Sequence, residues 1–376
     1  MLPLKTVFMG TPKIASRSLL DMLMFQENGI VDLQAVYTKS PVWDSKKKEY
    51  IESPVEKIAR ENRIDLRTPK TFKNNREETD FLKTLAPDVI IVVAFGLILT
   101  PDILNIPVYG VLNLHPSLLP DLRGPSPIHY TILKMMKFGG VTIMAMNEGI
   151  DTGPLAAQQR IALDKNENFS GLYEKLSLAG SLLLSRVVET VYKHRINFFE
   201  CGYGQDLAKK EGNRAHDLTA LIKQEELRID FSKDEPAVIY AKIRAFSEAG
   251  GAFFILKNKN VKILEAKLIV DDACEKTEIE SGKTKNGVQH ETFEYSDYCG
   301  GFSDIYKKEI EKVFSKSDII AAGTAVVANK TGLLISTVKK GVYIRLIKLK
   351  PEGRNVMDYN DIVNGFRIKQ GDLICP

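Results

Sequence analysis

The pattern of hydrophobic positions along this 376-residue chain changes once, near residue 195. Before that point, short β-branched runs alternate with stretches whose apolar residues recur at helical spacing, the pattern of βαβ units around a parallel sheet. Leu4 to Met9, Leu33 to Thr38, Val89 to Ala94, Gly110 to Asn113 and Val141 to Met146 read as strands. Ile14 to Phe25, Ser53 to Asn62, Glu77 to Leu85 and Pro127 to Lys137 read as helices between them. Ser53-Pro54 supplies an N-cap followed by proline at the first helical position. Leu172 to Tyr192 reads as a long closing helix. The expectation is an α/β fold: a Rossmann-like, mostly parallel sheet with helices on both faces, over residues 1–196.

Residues 197–226 are polar and weakly periodic, which marks a linker. From Leu227 onward short alternating runs are separated by turns: Ala252 to Leu256, Val261 to Leu268, Gly323 to Ala328, Gly332 to Ser336 and Val342 to Leu349. They predict a smaller antiparallel barrel or sandwich, most simply an OB-like β-barrel, over residues 227–376. Within it, about residues 271–320 form an insertion rich in Glu, Lys, Ser and Gly.

Composition narrows the picture. Hydrophobic residues at 44% and charged residues at 27% are those of an ordinary globular protein. No apolar run reaches 18 residues and the N-terminus lacks the basic and apolar regions of a signal peptide, so no membrane span or secretion is expected. Cys201, Cys274, Cys299 and Cys375 are scattered without metal-ligand spacing. They predict unpaired thiols, no metal and a cytoplasmic setting. The net charge of +4 conceals an uneven distribution. Residues 228–270 with 321–376 carry 17 Lys plus Arg against 9 Asp plus Glu, whereas residues 271–320 carry 7 against 12. A basic C-terminal domain, with Lys339, Lys340, Arg345 and Lys348 among its cations, suits a phosphate-rich partner.

The candidate chemistry lies at strand ends. Asn113 and His115 fall one residue apart at the C-terminal end of a strand, where open α/β sheets bind ligands, and period-two alternation puts them on one face. Acyl transfer to an amine needs a donor for the oxyanion and a group that takes the proton of the attacking nitrogen; an amide and an imidazole supply both. Asp151, between glycines in Gly149-Ile150-Asp151-Thr152-Gly153, can orient the imidazole and stabilise its charged form. Ala94-Phe95-Gly96-Leu97-Ile98-Leu99 ends another strand in an apolar loop suited to a flat heterocycle, and equally reads as a plain buried strand end. Gly10-Thr11-Pro12 is not G-x-G-x-x-G, so no dinucleotide is inferred, and His129 reads as structural or surface.

The run Asn113-Leu114-His115-Pro116-Ser117-Leu118-Leu119-Pro120, followed by Arg123-Gly124 and the Asp151-Thr152-Gly153 turn, resembles the signature of folate-dependent formyltransferases. Phe8 to Pro12, Val92 to Leu99, Arg228-Ile229-Asp230-Phe231-Ser232, Ile243 to Phe246 and Gly323-Thr324 extend the likeness along nearly the whole chain. Within the superfamily the chain is most similar to the two-domain members whose acceptor is methionyl initiator tRNA. The resemblance implies 10-formyltetrahydrofolate as formyl donor, Asn113, His115 and Asp151 as the catalytic triad, and a folate site lined by Phe95, Gly96, Leu97, Ile98, Leu99, Ser117, Leu118, Leu119 and Pro120. It also implies tRNA contacts from Arg123, from the C-terminal cations and from the loop carrying Trp43 and Lys46, Lys47 and Lys48. That loop lacks the usual proline, glycine and arginine pattern, and Asp121 stands where a basic residue is common. A monomer is expected. The readings this leaves to one side are transfer to a glycinamide ribonucleotide or amino sugar, hydrolysis of the formyl folate, and an RNA-binding module without activity.

Overall fold

The computed structural model describes residues 1–45, 47–205, 218–248, 250–271, 304–314 and 320–374. Lys46, Cys274, Cys299, Cys375 and most of the insertion lie outside them. The chain divides into two compact units, one of residues 1–127, 138–162 and 173–220, the other of residues 128–137, 163–172 and 221–376.

In the first unit, β1 (Leu4–Gly10) leads through α1 (Lys13–Glu27) to β2 (Val31–Tyr37). The hairpin β3 (Val42–Asp44) and β4 (Glu49–Ile51) follows, where the sequence predicted only a loop. Next come α2 (Pro54–Glu61), the two-residue β5 (Leu66–Arg67), α3 (Arg76–Leu85), β6 (Val89–Val93) and the single turn α4 (Pro101–Leu104). β7 (Val111–His115), β8 (Phe138–Ala145), β9 (Leu155–Ala162), all of α6 (Phe169–His194) but its first turn, and the short α7 (Phe198–Cys201) complete the series, while α5 (Pro127–Leu133), between β7 and β8 in the chain, falls in the second unit after Pro127. The seven-stranded sheet has the order β5-β2-β1-β6-β7-β8-β9, parallel as far as β7 and antiparallel beyond it. This is the Rossmann-like, mostly parallel sheet expected, with β5 and β9 as edges the sequence did not announce.

Both faces of the sheet are covered, as continuous apolar strands require. On one face Val7, Met9, Ile90, Val92 and Val111 join Tyr37, Phe72, Leu82 and Phe95 in a single core. Phe8 points to the other face and is fully buried as well. The predicted helix cap is present: the Ser53 hydroxyl accepts the Glu56 N–H at 2.9 Å, with Pro54 at the first helical position. The helix expected over residues 127–137 stops at Leu133 because Met135 adopts φ 53°, turning the chain into β8. The closing helix is longer than predicted, and its Gly180 allows the close approach of Leu114 on β7, where a Cβ would lie 2.8 Å from the leucine.

The second unit contains α8 (Pro236–Ala245), β10 (Ala252–Leu256), β11 (Lys259–Val270), α9 (Asp304–Glu311), β12 (Ala325–Asn329), β13 (Gly332–Ser336), β14 (Val342–Pro351), β15 (Met357–Asp358) and α10 (Tyr359–Phe366). Its antiparallel sheet has the order β10-β11-β14-β13-β12, with β15 on β14. The predicted strands are all there. The helices α8 and α10 were not predicted, although Pro236 at a first helical position and the Asp358 side chain capping Asp361 at 2.8 Å are local signals. α9 belongs to the segment read as an insertion, yet its Tyr306 is buried with Val326, Val327 and Leu334. Among the described residues no helix is long and apolar enough to cross a membrane.

Candidate functional site

β7 lies between β6 and β8 with all five residues buried, so its polar side chains can be kept only by specific partners. His115 is 4% exposed. Its Nε2 lies 3.0 Å from the Leu122 carbonyl, and a carbonyl only accepts, so Nε2 carries the proton of the neutral ring. Nδ1 is then the basic nitrogen, and it faces Asp151 Oδ2 at 3.5 Å. Burial pulls the imidazole pKa below its ordinary value, against the opposing influence of the Asp151 carboxylate and the Leu122 bond. The ring is therefore neutral near pH 7 and able to accept a proton at Nδ1.

Asp151 reaches the site from the turn after β8, in the left-handed region at φ 51°. The Gly124 N–H donates to its Oδ2 at 2.8 Å. Two glycines make the approach possible. A Cβ on Gly153 would lie 1.7 Å from the Ala145 carbonyl oxygen, and one on Gly124, at φ 104°, would lie 2.6 Å from that of Thr219. The Gln205 side-chain amide donates to the backbone carbonyls of Asp151 at 3.0 Å and Gly153 at 2.8 Å.

Asn113 is buried on the same strand, two residues before His115, and among the described residues no protein group bonds its side-chain amide. An amide left without a protein partner at a strand end is a ready donor to a ligand oxygen. Among the described residues no group of three or more His, Cys, Asp or Glu side chains can hold a metal ion.

The two loops expected to line a folate site are both ordered around β7 but divide internally. Phe95 and Leu99 are core residues at 1% and 6% exposure. Gly96 at φ 75° and Ile98 at 89% exposure are presented to solvent, with Leu97 half-buried. The Thr11 hydroxyl donates to the Phe95 carbonyl at 3.1 Å, which gives the first strand-to-helix turn a buttressing role. On the other loop Ser117 and Leu119 are buried, while Leu118 and Pro120 are partly open. Ser117 Oγ donates to the Asp121 carbonyl at 2.7 Å, and Thr142 Oγ1 bridges the Ser117 carbonyl at 2.7 Å and the Leu119 N–H at 3.1 Å. Gln158 ties the Leu119 carbonyl to the same hydroxyl. Sequence reasoning missed Thr142, Gln158 and Gln205, which occupy an ordinary strand, an unannounced edge strand and a polar linker.

The expected tRNA contacts fall into three environments. Arg123 is held within the site, its Nε donating to Gln205 Oε1 at 3.0 Å. Lys47 and Lys48 sit at the exposed tip of the β3–β4 hairpin, whose strands place Trp43 opposite Tyr50 with ring centroids 5.0 Å apart. In the second unit Lys340 and Lys348 are exposed, Lys348 being paired with Glu265 at 2.8 Å; Lys339 is half-buried. Arg345 is half-buried over the Tyr306 ring, 5.5 Å from its centroid. His129 packs against Phe169 and Phe246, with ring centroids 4.4 and 5.8 Å away, and is structural.

Residues 4–188 match the family described as formyl transferase, and residues 221–367 match the formyl transferase C-terminal domain. A methionyl-tRNA formyltransferase of Wolbachia from Drosophila simulans is 37% identical over 287 residues, covering 76% of this chain and 87% of the relative. The methionyl-tRNA formyltransferase of Caldicellulosiruptor saccharolyticus is 31% identical over 371 residues, covering 98% and 99%. Among solved structures, an N-formyltransferase from Helicobacter canadensis in complex with folinic acid and dTDP-3-aminofucose superposes with a TM-score of 0.55 at 17% identity, covering 92% of this chain and 99% of that one. HypX from Aquifex aeolicus in complex with tetrahydrofolic acid gives 0.54 at 14% identity over 96% of this chain, which spans only 47% of HypX. At these identities the two structures share the fold.

Proposed function

The chain belongs to the methionyl-tRNA formyltransferase family, and from that membership we propose that it transfers the formyl group of 10-formyltetrahydrofolate to the α-amino group of methionine esterified to initiator tRNA. The observation that carries the chemistry is a buried Asn113 amide without a protein partner among the described residues, two residues from a buried, neutral His115 whose basic Nδ1 faces Asp151.

In this reading the amine nitrogen attacks the formyl carbon, a new C–N bond forms, and the carbonyl oxygen gains negative charge. The Asn113 amide donates to that oxygen, an interaction worth about 100- to 1000-fold in turnover at comparable sites. The nitrogen sheds its proton to His115 Nδ1, where the imidazolium finds Asp151 Oδ2 on one side and the Leu122 carbonyl on the other. Breaking the bond from the formyl carbon to N10 of the folate expels tetrahydrofolate, and the proton returned by His115 completes the leaving group. No outside acid or base is consumed.

For the pterin, Gly96, Leu97 and Ile98 offer backbone groups and open apolar side chains on one loop, while Leu118 and Pro120 do so on the other. Phe95, Leu99, Ser117 and Leu119 are the buried anchors of those loops. Exposed cations and the Trp43–Tyr50 pair are the groups suited to a single-stranded acceptor end. The test is incubation of the protein with 10-formyltetrahydrofolate labelled in the formyl group and, separately, methionyl initiator tRNA, glycinamide ribonucleotide, a nucleotide-linked amino sugar or water. Label is expected on the aminoacyl-tRNA, and label on another acceptor, or free formate alone, would sink the assignment.

A further inference from the structure

We propose that Gln205, a residue of the polar segment after the closing helix of the first unit, is a positioning residue that holds the Asp151 carboxylate at His115. Gln205 is 4% exposed, an unusual burial for an amide unless its hydrogen bonds are made. Here they are made on both ends. Its nitrogen donates to the carbonyls of Asp151 and Gly153, bracketing the turn that carries the carboxylate. Its oxygen accepts two bonds from the Arg123 guanidinium, from Nε at 3.0 Å and from Nη2.

The Arg123 backbone leads straight back to the same pair of groups. Leu122, just before it, gives its carbonyl to His115 Nε2, and Gly124, just after it, gives its N–H to Asp151 Oδ2. A closed circuit results: the Leu122 to Gly124 segment touches both members of the proton-handling pair, and the Arg123 side chain reaches through Gln205 to the backbone beneath one of them. Thr219 locks the circuit from outside, its N–H and hydroxyl both donating to the Arg123 carbonyl at 2.7 and 3.0 Å while its oxygen accepts the Ser126 N–H at 3.1 Å. The segment between the two family domains thus supplies two of the residues that build the site, rather than serving as a tether. Asp151 has its backbone in the left-handed region, at φ 51°, and the two Gln205 bonds, to its own carbonyl and to that of Gly153, fix the turn that aims the carboxylate.

The inference rests on the reading of Asp151 and His115 as the proton-handling pair, and the experiment separates the two. Gln205→Met, which keeps length and burial without hydrogen bonds, and Gln205→Glu, which keeps the acceptor for Arg123 and loses the donor, are each made in the full chain and in an Asp151→Asn background. Steady-state kinetics with charged initiator tRNA and circular dichroism melts are measured on all of them. In the otherwise native chain, kcat is expected to fall about 10- to 100-fold, the scale of a catalytic group displaced by about 1 Å, with KM for folate and tRNA held. In the Asp151→Asn background the same changes should cost less than about twofold, since what Gln205 positions is already gone. Equal losses in both backgrounds, or a rise in KM at constant kcat, would overturn the proposal. Should Gln205→Met fail to give a cooperative melt, the Gln205→Glu cycle decides alone. Full turnover by Asp151→Asn by itself would instead overturn the premise.

Discussion

Two regions of the first unit, the end of β7 and the tip of the β3–β4 hairpin, use polar side chains in opposite ways. At β7 the groups are few, buried and mostly matched one to one, with Leu122 and Asp151 for the two nitrogens of His115 and Gly124 for the Asp151 carboxylate, while the buried Asn113 amide has no protein partner among the described residues. At the hairpin they are exposed, with Trp43 at 52% and Tyr50 at 68%, and the Lys47–Glu49 pair 3.9 Å apart in water. A buried group has one arrangement that satisfies it, so it carries large consequences per residue; exposed charges act through their sum and are screened by salt. Chemistry needs the first kind of site. Holding a long polyanion needs the second.

The widest separation between the regions comes from removing one matched group. Asn113→Ala, His115→Ala and Asp151→Ala are each expected to lower turnover by at least about 100-fold with the fold retained. Because burial places the His115 pKa below 6.5, the acid limb of kcat/KM should lie below pH 6.5 in the native chain. It should move lower still in Asp151→Asn, which removes the neighbour that raises it. Rates measured across the mildly acidic to neutral range check both, and near-native turnover in any alanine variant removes that residue from the mechanism.

A smaller, differently shaped effect is expected at the exposed cations. Changing Lys339, Lys340 and Lys348 together to alanine should weaken tRNA binding and flatten its salt dependence, by roughly 0.7 to 0.9 in slope for each phosphate left without its lysine. Turnover at saturating tRNA should hold. Lys47→Ala with Lys48→Ala should also lower turnover, by up to about 100-fold if the hairpin sets where the acceptor end lies. Binding titrations and saturating kinetics at several salt concentrations distinguish these outcomes, and unchanged salt slopes in both variants would dissolve the comparison.

The smallest effect concerns stability and a histidine of the second unit. His129 has its pKa lowered to about 4 by burial, and among the described residues its Nε2 has no partner. The unfolded chain, with an ordinary value near 6.5, takes up the proton first. Stability from this residue is therefore complete above about pH 6.5 and is lost as the pH falls toward 4. His129→Phe should leave the melting temperature at neutral pH equal or higher and make its decline between pH 6.5 and 4 shallower. An unaltered decline would show that other groups govern acid unfolding.

Much of this was legible before any coordinates. Asn113 and His115 are legible because polar types at a strand end violate the apolar pattern around them, and Asp151 because it sits between glycines in the turn after another strand; both are local features of a linear string. The hairpin was not, since three-residue strands around charged residues leave no period to read. Nor was the division within the folate loops: Phe95 and Ile98 are both apolar letters three positions apart, and only packing buries one at 1% and leaves the other at 89%.

Periodicity by itself determined the mostly parallel α/β sheet and the antiparallel strands that follow it, because the alternation of side chains along strands and helices is a property of the local backbone. Strand-end polarity determined where to look for chemistry, and the motif determined the family. What only the tertiary structure decided is how distant segments close on one another. The assignment of Arg123 to Gln205, of Gln205 to the Asp151 turn, and of Thr219 to Arg123 joins residues 82, 54 and 96 positions apart. Such hydrogen bonds follow from where the folded backbone brings each donor and acceptor, and a polar residue in a polar segment bears no mark of the partner it will meet.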